Sequence, residues 1–379
     1  MSKRWQVATM AAVLPLAAQA VADKAPNIIL FLVDDMGWQD TSVPFAETKT
    51  RLNGLYETPN MERLAAEGMC FTQAYASPIS SPSRCSLMSG SNAARHGVTN
   101  WTLERDKTTD CADSTLTPPE WNYNGISPVA GIRRTYPCKS FVEILRAHGY
   151  HTIHCGKAHW GALDTPGENP TAWGFEVNIA GHAGGGPATY LSEQNYGHRR
   201  DGEANSPFAI PDLQTYWGTG TFLTEALTRE AVKALDKAKK YGQPFFLNMA
   251  HYAVHIPIDR DMRFFAKYVR KGMSDKEAAY ASLIEGMDKS LGDLMQWLRE
   301  NGEEENTIIL FMSDNGGYAT GSYWRDEPLY TQNAPLRCGK GSMYEGGIRE
   351  PMIVKWPGRV QGATRCDRYL LIEDFFPSI

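Results

Sequence analysis

Two seven-residue runs, Asn27–Val33 (NIILFLV) and Thr307–Ser313 (TIILFMS), decide most of what this chain can fold into. Neither alternates between apolar and polar positions. A strand with one face in water would alternate, whereas a continuous aliphatic and aromatic run suits a strand buried on both faces. Such strands belong to parallel sheets with helices packed on each side. Each run ends in polar oxygen-bearing residues, Asp34-Asp35 after the first and Asp314-Asn315 after the second.

The segments between supply the alternation such a sheet needs. Pro59–Gly68 reads as a helix and Met69–Ser77 as a strand. Phe141–His148 is helical up to Gly149, and His151–Cys155 follows as a strand. Thr221–Lys240 reads as a helix and Pro244–Met249 as a strand. Lys276–Glu300 is a long amphipathic helix ending at Gly302, and Met352–Trp356 is a last strand. This order predicts one α/β domain with a mostly parallel sheet covered on both faces. Two loop-rich insertions interrupt it, Thr102–Pro137 and the Gly-rich stretch Gly181–Trp217, and there are no repeats or low-complexity tracts.

A chain of 379 residues can bury a sizeable core around one large sheet. The net charge of −5, with no long basic run, argues against nucleic acid as a partner. The first residues carry a targeting pattern: Lys3 and Arg4, an apolar stretch from Val7 to Ala22, and the small-residue triplets Ala18-Gln19-Ala20 and Ala20-Val21-Ala22. Residues 1–22 are read as a signal peptide and residues 23–379 as the catalytic domain, which implies a periplasmic or secreted protein. The stretch is short for a membrane anchor, and no later stretch is apolar enough to span a bilayer. The seven cysteines show no C-x-x-C spacing, so a zinc site is not expected. Cys70 and Cys155 fall in strands and read as core residues. Cys111 and Cys138 flank a loop-rich insertion, and the sequence leaves open whether a disulfide joins them.

Polar clusters recur just after strands. Asp34-Asp35 follows the first, Ser80–Arg84 the second, Lys157 and His159 the third, His251 and His255 the fourth, and Asp314-Asn315 the fifth. In open α/β sheets ligands bind outside the carboxyl ends of the strands, so these clusters are expected to converge on one crevice.

The sharpest of them is Ser80-Ser81-Pro82-Ser83-Arg84-Cys85-Ser86-Leu87-Met88-Ser89-Gly90. It resembles the sulfatase signature, [CS]-x-P-S-R followed by an apolar pair and [ST]-G. Gly156-Lys157-Ala158-His159-Trp160-Gly161 resembles that family's G-K-x-H-x-G motif, with Ala158 in place of the usual aromatic. The segments His251–Pro257 and Cys338–Pro351 are further matches, the second carrying Lys340, Glu345 and Arg349. The resemblance runs from about Asn27 to the last residue. It implies an alkaline-phosphatase-like fold, a three-layer sandwich with a mostly parallel central sheet. The family's smaller C-terminal subdomain would follow the motif near Glu350, so the resemblance implies that this sequence lacks it.

The same resemblance implies the chemistry. Ser80 would be oxidised to formylglycine by a serine-type maturing enzyme, and one oxygen of the hydrated aldehyde would attack sulfur. Asp34, Asp35, Asp314 and Asn315, with residue 80, would hold one Ca²⁺; oxygen ligands suit Ca²⁺ or Mg²⁺, and the family favours Ca²⁺. Arg84, Lys157 and Lys340 would offset charge on the sulfuryl group and the nucleophile. His255 would protonate the departing alcohol, and His159 would take the proton that expels sulfate. His251 would support the loop, as would Glu345 and Arg349. The loops look most like those of bacterial glycan sulfatases, which implies exo-desulfation of a sulfated carbohydrate. Asn100, Trp101, His182 and His198 are the candidate substrate contacts, and Trp101 could stack on a sugar face.

Two rival readings follow from the same residues. A phosphatase or phosphodiesterase of the same superfamily would need an Asp-His pair and further histidine ligands, yet no Asp-His dipeptide occurs. An inactive glycan-binding scaffold would result if Ser80 were never oxidised.

Overall fold

The computed structural model describes residues 24–318 and 333–379. The signal-peptide expectation for residues 1–22 lies outside them. The strands are β1 (Asn27–Val33), β2 (Met69–Tyr75), β3 (Ile126–Ser127), β4 (Tyr136–Pro137), β5 (His151–Gly156), β6 (Val177–Ile179), β7 (Phe245–Ala250), β8 (Thr307–Ser313), β9 (Arg349–Lys355), β10 (Thr364–Cys366) and β11 (Leu370–Leu371). The helices used below are α1 (Pro59–Glu67), α2 (Ser80–Ser89), α3 (Ala93–His96), α4 (Phe141–Ala147), α5 (Leu223–Tyr241), α6 (Phe265–Arg270) and α7 (Asp275–Glu300).

Among the described residues, nine strands form one sheet in the order β10-β2-β9-β8-β1-β7-β5-β6, with β11 beside β2. All neighbours run parallel except β9, which is antiparallel to both β2 and β8. A mostly parallel α/β sheet is thus what the sequence predicts, with one reversed strand that it did not signal. β1 lies at the centre between β8 and β7.

The continuous apolar run of β1 follows from helices on both sides. Ile29, Phe31 and Val33 point into a core shared with Leu227 and Leu235 of α5 and Leu283, Leu291 and Leu294 of α7. Ile28, Leu30 and Leu32 point into the opposite core, with Leu87 and Met88 of α2 and Phe141, Val142 and Leu145 of α4. A period of two along the strand divides its residues between the layers. Sequence signals fix the helix starts: Ser274 with Glu277 opens α7, and Ser140 with Glu143 opens α4, each as a capping box.

All seven cysteines are free thiols, so no disulfide joins Cys111 to Cys138. Cys70 and Cys155 are buried, as their strand positions predict. Among the described residues, no helix is long and apolar enough to cross a membrane.

Gly156 shows how the sheet delivers a site residue. It ends β5 at φ +105°, and a Cβ there would lie 1.9 Å from the Ala250 carbonyl oxygen. Both facts require glycine. The next residue, Lys157, donates its own N–H to that carbonyl at 2.7 Å. Gly156→Ala is therefore expected to destabilise the fold by roughly 2 kcal/mol or more. Denaturant melts check this; an unchanged midpoint contradicts it.

Candidate active site

The crevice forms where the strand ends place polar residues side by side. Asp34 and Asp35 leave β1, Lys157 and His159 leave β5, His251 and His255 leave β7, and Asp314 and Asn315 leave β8. Helix α2 starts at Ser80, with extended Ile79 before it and Pro82 in its first turn, where no donor is needed. Ser83 Oγ donates to the Ser77 and Ile79 carbonyls and tightens that entry. The helix stops at Gly90, whose φ is +62°. The buried start of a helix suits an anion.

Ser80 Oγ lies 3.2 Å from Asp34 Oδ1, 3.1 Å from Asn315 Oδ1 and 3.0 Å from Lys157 Nζ. Lys157 Nζ also donates to Asp34 Oδ2 at 2.7 Å, with both side chains wholly buried. Arg84 Nε donates to Asp314 Oδ2 at 2.7 Å, and its Nη1 to the Lys157 carbonyl at 2.8 Å. Asn315 Nδ2 donates to Asp35 Oδ1 at 2.8 Å, and Lys340 Nζ to Asp35 Oδ2 at 2.8 Å. His255 Nε2 stands 3.7 Å from Asp35 Oδ2.

Asp34, Asp35 and Asp314 each offer an oxygen atom, and the three atoms lie within 4.8 Å of one another. Three buried carboxylates this close need positive charge. Burial pushes Asp34 up to about 8, against the pull of Lys157 and with Asp314 and Asp35 adding to the rise. Burial also works to raise Asp35, but Lys340, His255 and Lys157 outweigh it and hold the carboxyl well below the usual range. The donors are all oxygen, with Asn315 Oδ1 and Ser80 Oγ beside them, so the residues fit a hard divalent cation. Among the described residues, no histidine belongs to the cluster.

The imidazoles divide by environment. His255 is pushed down to about 3 by burial and by Lys340. Its Nδ1 donates to the Ile256 carbonyl at 2.7 Å, which leaves Nε2 as the atom for proton exchange. His159 is held well below its ordinary value by burial and by Lys157. His251 is wholly buried, bonds Ser290 Oγ at 2.8 Å and packs on Phe31, so it supports the strand end. Glu345 and Arg349 bond each other at 3.1 Å, and Arg349 Nε reaches the Thr72 carbonyl at 2.7 Å.

A cavity of about 910 Å³ opens over Ser80, His159, His255 and Lys340. That size suits a sugar-sized ligand. Trp101 and Phe208 form part of its wall. Of the four candidate substrate contacts only Trp101 lines it. Asn100 bonds Asp110, His182 Nδ1 accepts from the Gly184 N–H at 3.2 Å, and His198 packs against Trp217. His182 is a half-buried loop residue whose ring is engaged within the protein, which its sequence position did not reveal.

Several contributors had no sequence signal. Asn333 accepts from the Trp38 and Gly317 N–H groups at 3.2 and 3.1 Å and donates to the Cys338 carbonyl at 3.1 Å, so it ties the Lys340 loop to β1 and β8. Gly185 and Gly186 lie so close to His159 and His255 that a Cβ would fall 2.4 and 2.7 Å from the two rings. An Asn or Gly-Gly in a Gly-rich loop looks like any turn.

A family model described as sulfatase matches residues 26–379. The chain belongs to the sulfatase family. A sulfatase of Formosa agariphila is 30% identical over 94% of this chain and 68% of its own length. The N-acetylgalactosamine-6-sulfatase of Canis lupus familiaris is 31% identical over 94% of this chain and 62% of its own. The chain thus spans less than two thirds of that second relative. The crystal structure of Ps i-CgsB superposes with a TM-score of 0.73 at 29% identity, over 94% of this chain and 71% of that one. The PsFucS1 sulfatase from Pseudoalteromonas sp. gives 0.66 at 25%, over 94% and 67%. The phosphonate monoester hydrolase of Agrobacterium radiobacter, at 18% identity and a TM-score of 0.57, shares the fold alone. In this sulfatase-family chain the signature residues Ser80 and Arg84 thus stand against Asp34 and Asp314, on the two central strand ends.

Proposed function

We propose that this chain hydrolyses the sulfate ester of a terminal sulfated sugar, using a formylglycine made from Ser80 and one bound Ca²⁺. The observation that carries the reading is the setting of Ser80 Oγ, within 3.2 Å of Asp34, Asn315 and Lys157 at the start of α2 and on the cavity wall. Formylglycine at position 80 would supply a regenerable oxygen nucleophile. The cation would offset charge on the sulfuryl oxygens. Ca²⁺ fits better than Mg²⁺ because four protein side chains besides residue 80 crowd the site, whereas Mg²⁺ keeps several waters.

The chain's own residues supply the rest. Lys157 and Lys340 put two ammonium groups beside the carboxylates and can receive the anionic ester. Burial lowers Lys157, against Asp34. For Lys340 the same burial cost is outweighed by Asp35 and Asp34, which raise it. Arg84 holds Asp314 in place. His255 Nε2 faces the cavity and is the proton donor to the leaving oxygen; a bound sulfate ester adds negative charge beside it and favours the protonated ring. His159 is the proton acceptor that completes turnover.

A sulfated sugar is favoured by Trp101 on the wall and by relatives named for N-acetylgalactosamine or solved with k-i-k-neocarrahexaose. The targeting pattern of residues 1–22 supports a periplasmic or secreted enzyme, matured by a serine-type maturing enzyme. The superfamily phosphatase reading is disfavoured because the sequence holds no Asp-His dipeptide and, among the described residues, the carboxylate cluster includes no histidine.

Co-expression with a serine-type maturing enzyme, followed by mass spectrometry of the Ser80 peptide, tests the reading. Loss of two hydrogens is expected, and an unmodified serine throughout would move belief to a glycan-binding scaffold. For His255→Ala, cleavage of a sugar sulfate should fall roughly 10²- to 10⁴-fold, while an aryl sulfate with a good leaving group should lose far less. Equal losses on both substrates would remove His255 from the acid role.

A further inference from the structure

The second position of the signature is the unspecified one, yet here Ser81 is fully buried and fully engaged. Its Oγ accepts the Thr102 N–H at 3.0 Å and lies 3.0 Å from His159 Nε2. The same Nε2 stands 2.8 Å from the Thr102 carbonyl oxygen. A carbonyl can only accept, so Nε2 carries the hydrogen. In a neutral imidazole the lone pair then sits on Nδ1. Nδ1 of His159 is buried and has no hydrogen-bond partner among the described residues. A buried, unpaired acceptor is uncommon and persists where it has a task. The ring is fixed from a second side by Gly185, where a Cβ would lie 2.4 Å from Cε1. His159 itself holds φ +59°, a strained value for a side-chain-bearing residue.

We infer that Ser81 is a positioning residue: with the Thr102 main chain it holds His159 as the Nε2–H tautomer and presents Nδ1 as the proton acceptor of the reaction. The acceptor role rests on the sulfate-ester reading above; the tautomer does not. Thr102 directly follows Trp101 on the cavity wall, so one short segment both meets the ligand and sets the base.

The test is a long-range proton–nitrogen spectrum of full-length protein labelled with ¹⁵N-histidine, with His159→Gln to assign the ring. The expected spectrum shows a protonated Nε2 and a lone-pair Nδ1 at position 159. Ser81→Ala keeps the S-x-P-S-R pattern, and mass spectrometry confirms that residue 80 is still matured. In that variant the Thr102 N–H loses its acceptor, so the Thr102 carbonyl is no longer held against Nε2 and the Nε2–H form should give way to a tautomer mixture. Its kcat should fall roughly tenfold to a hundredfold with little change in KM. A protonated Nδ1 in the wild type overturns the inference, as does a Ser81→Ala enzyme with full kcat and an unchanged ring. If Ser81→Ala fails to fold, the wild-type spectrum still decides the tautomer. A matured wild type with the Nε2–H ring but no sulfate release on any ester would overturn the hydrolase reading beneath it and leave the tautomer standing.

Discussion

Ser80→Ala is expected to give a folded protein whose sulfate release falls on the order of 10⁶-fold below that of the matured enzyme, the scale seen when a covalent nucleophile is removed. The fold should survive because the deletion removes one oxygen and leaves its neighbours paired. Lys157 keeps its 2.7 Å contact to Asp34, and Asn315 keeps its bond to Asp35. Sulfate release by ion chromatography, beside a circular-dichroism melt, separates the two effects. Activity within tenfold or so of wild type would remove Ser80 from the nucleophile's role.

Arg84→Ala should act on stability instead. Arg84 is 1% exposed and Asp314 is not exposed at all. Removing the guanidinium strands the carboxylate among Asp34 and Asp35 and frees the Lys157 carbonyl. Breaking a buried pair on one side costs about 3–5 kcal/mol. In a chain of this size that lowers the melting temperature by roughly 5 °C. Arg84→Lys should fall between, since a point charge cannot reach both acceptors with the guanidinium's geometry. An Arg84→Ala protein that melts with the wild type would mean that Asp314 is not charged in the fold. Burial opposes that charge, but Arg84 and Lys157 hold the carboxyl below its usual range.

The sheet's central strands were legible because β1 and β8 are buried on both faces, and their continuous runs leave no alternative. β6, β10 and β11 were not, since two or three partly exposed residues carry no periodicity. The reversal of β9 was hidden too, because direction leaves no mark in an apolar run. The predicted strand at Met69–Ser77 ends at Tyr75, since the Ser77 carbonyl is taken by Ser83 at the entry to α2.

The site divides the same way. Asp34, Asp35, Ser80, Arg84, Lys157, His159, His255, Asp314, Asn315 and Lys340 were legible as charged or polar residues after strands or in motif segments, and the structure brings them together. Ser81, Thr102, Asn333 and Gly185 act through a hydroxyl, a main-chain group, an amide and the lack of a side chain. Those roles depend on distances that only the folded loops create. His182 and His198 looked like ligand contacts because they lie in a Gly-rich loop, but the His182 ring accepts from the Gly184 N–H and stands beside Tyr252, and the His198 ring packs on Trp217.

The most direct test of the central claim is the rate of ester cleavage by protein with proven formylglycine at position 80, on sulfated monosaccharides and on the matching phosphate esters, with Ca²⁺ present. Release of sulfate from at least one sugar, with the matching phosphate cleaved far more slowly, is expected. Preferred cleavage of phosphate, or no sulfate release from any sugar, would contradict the account.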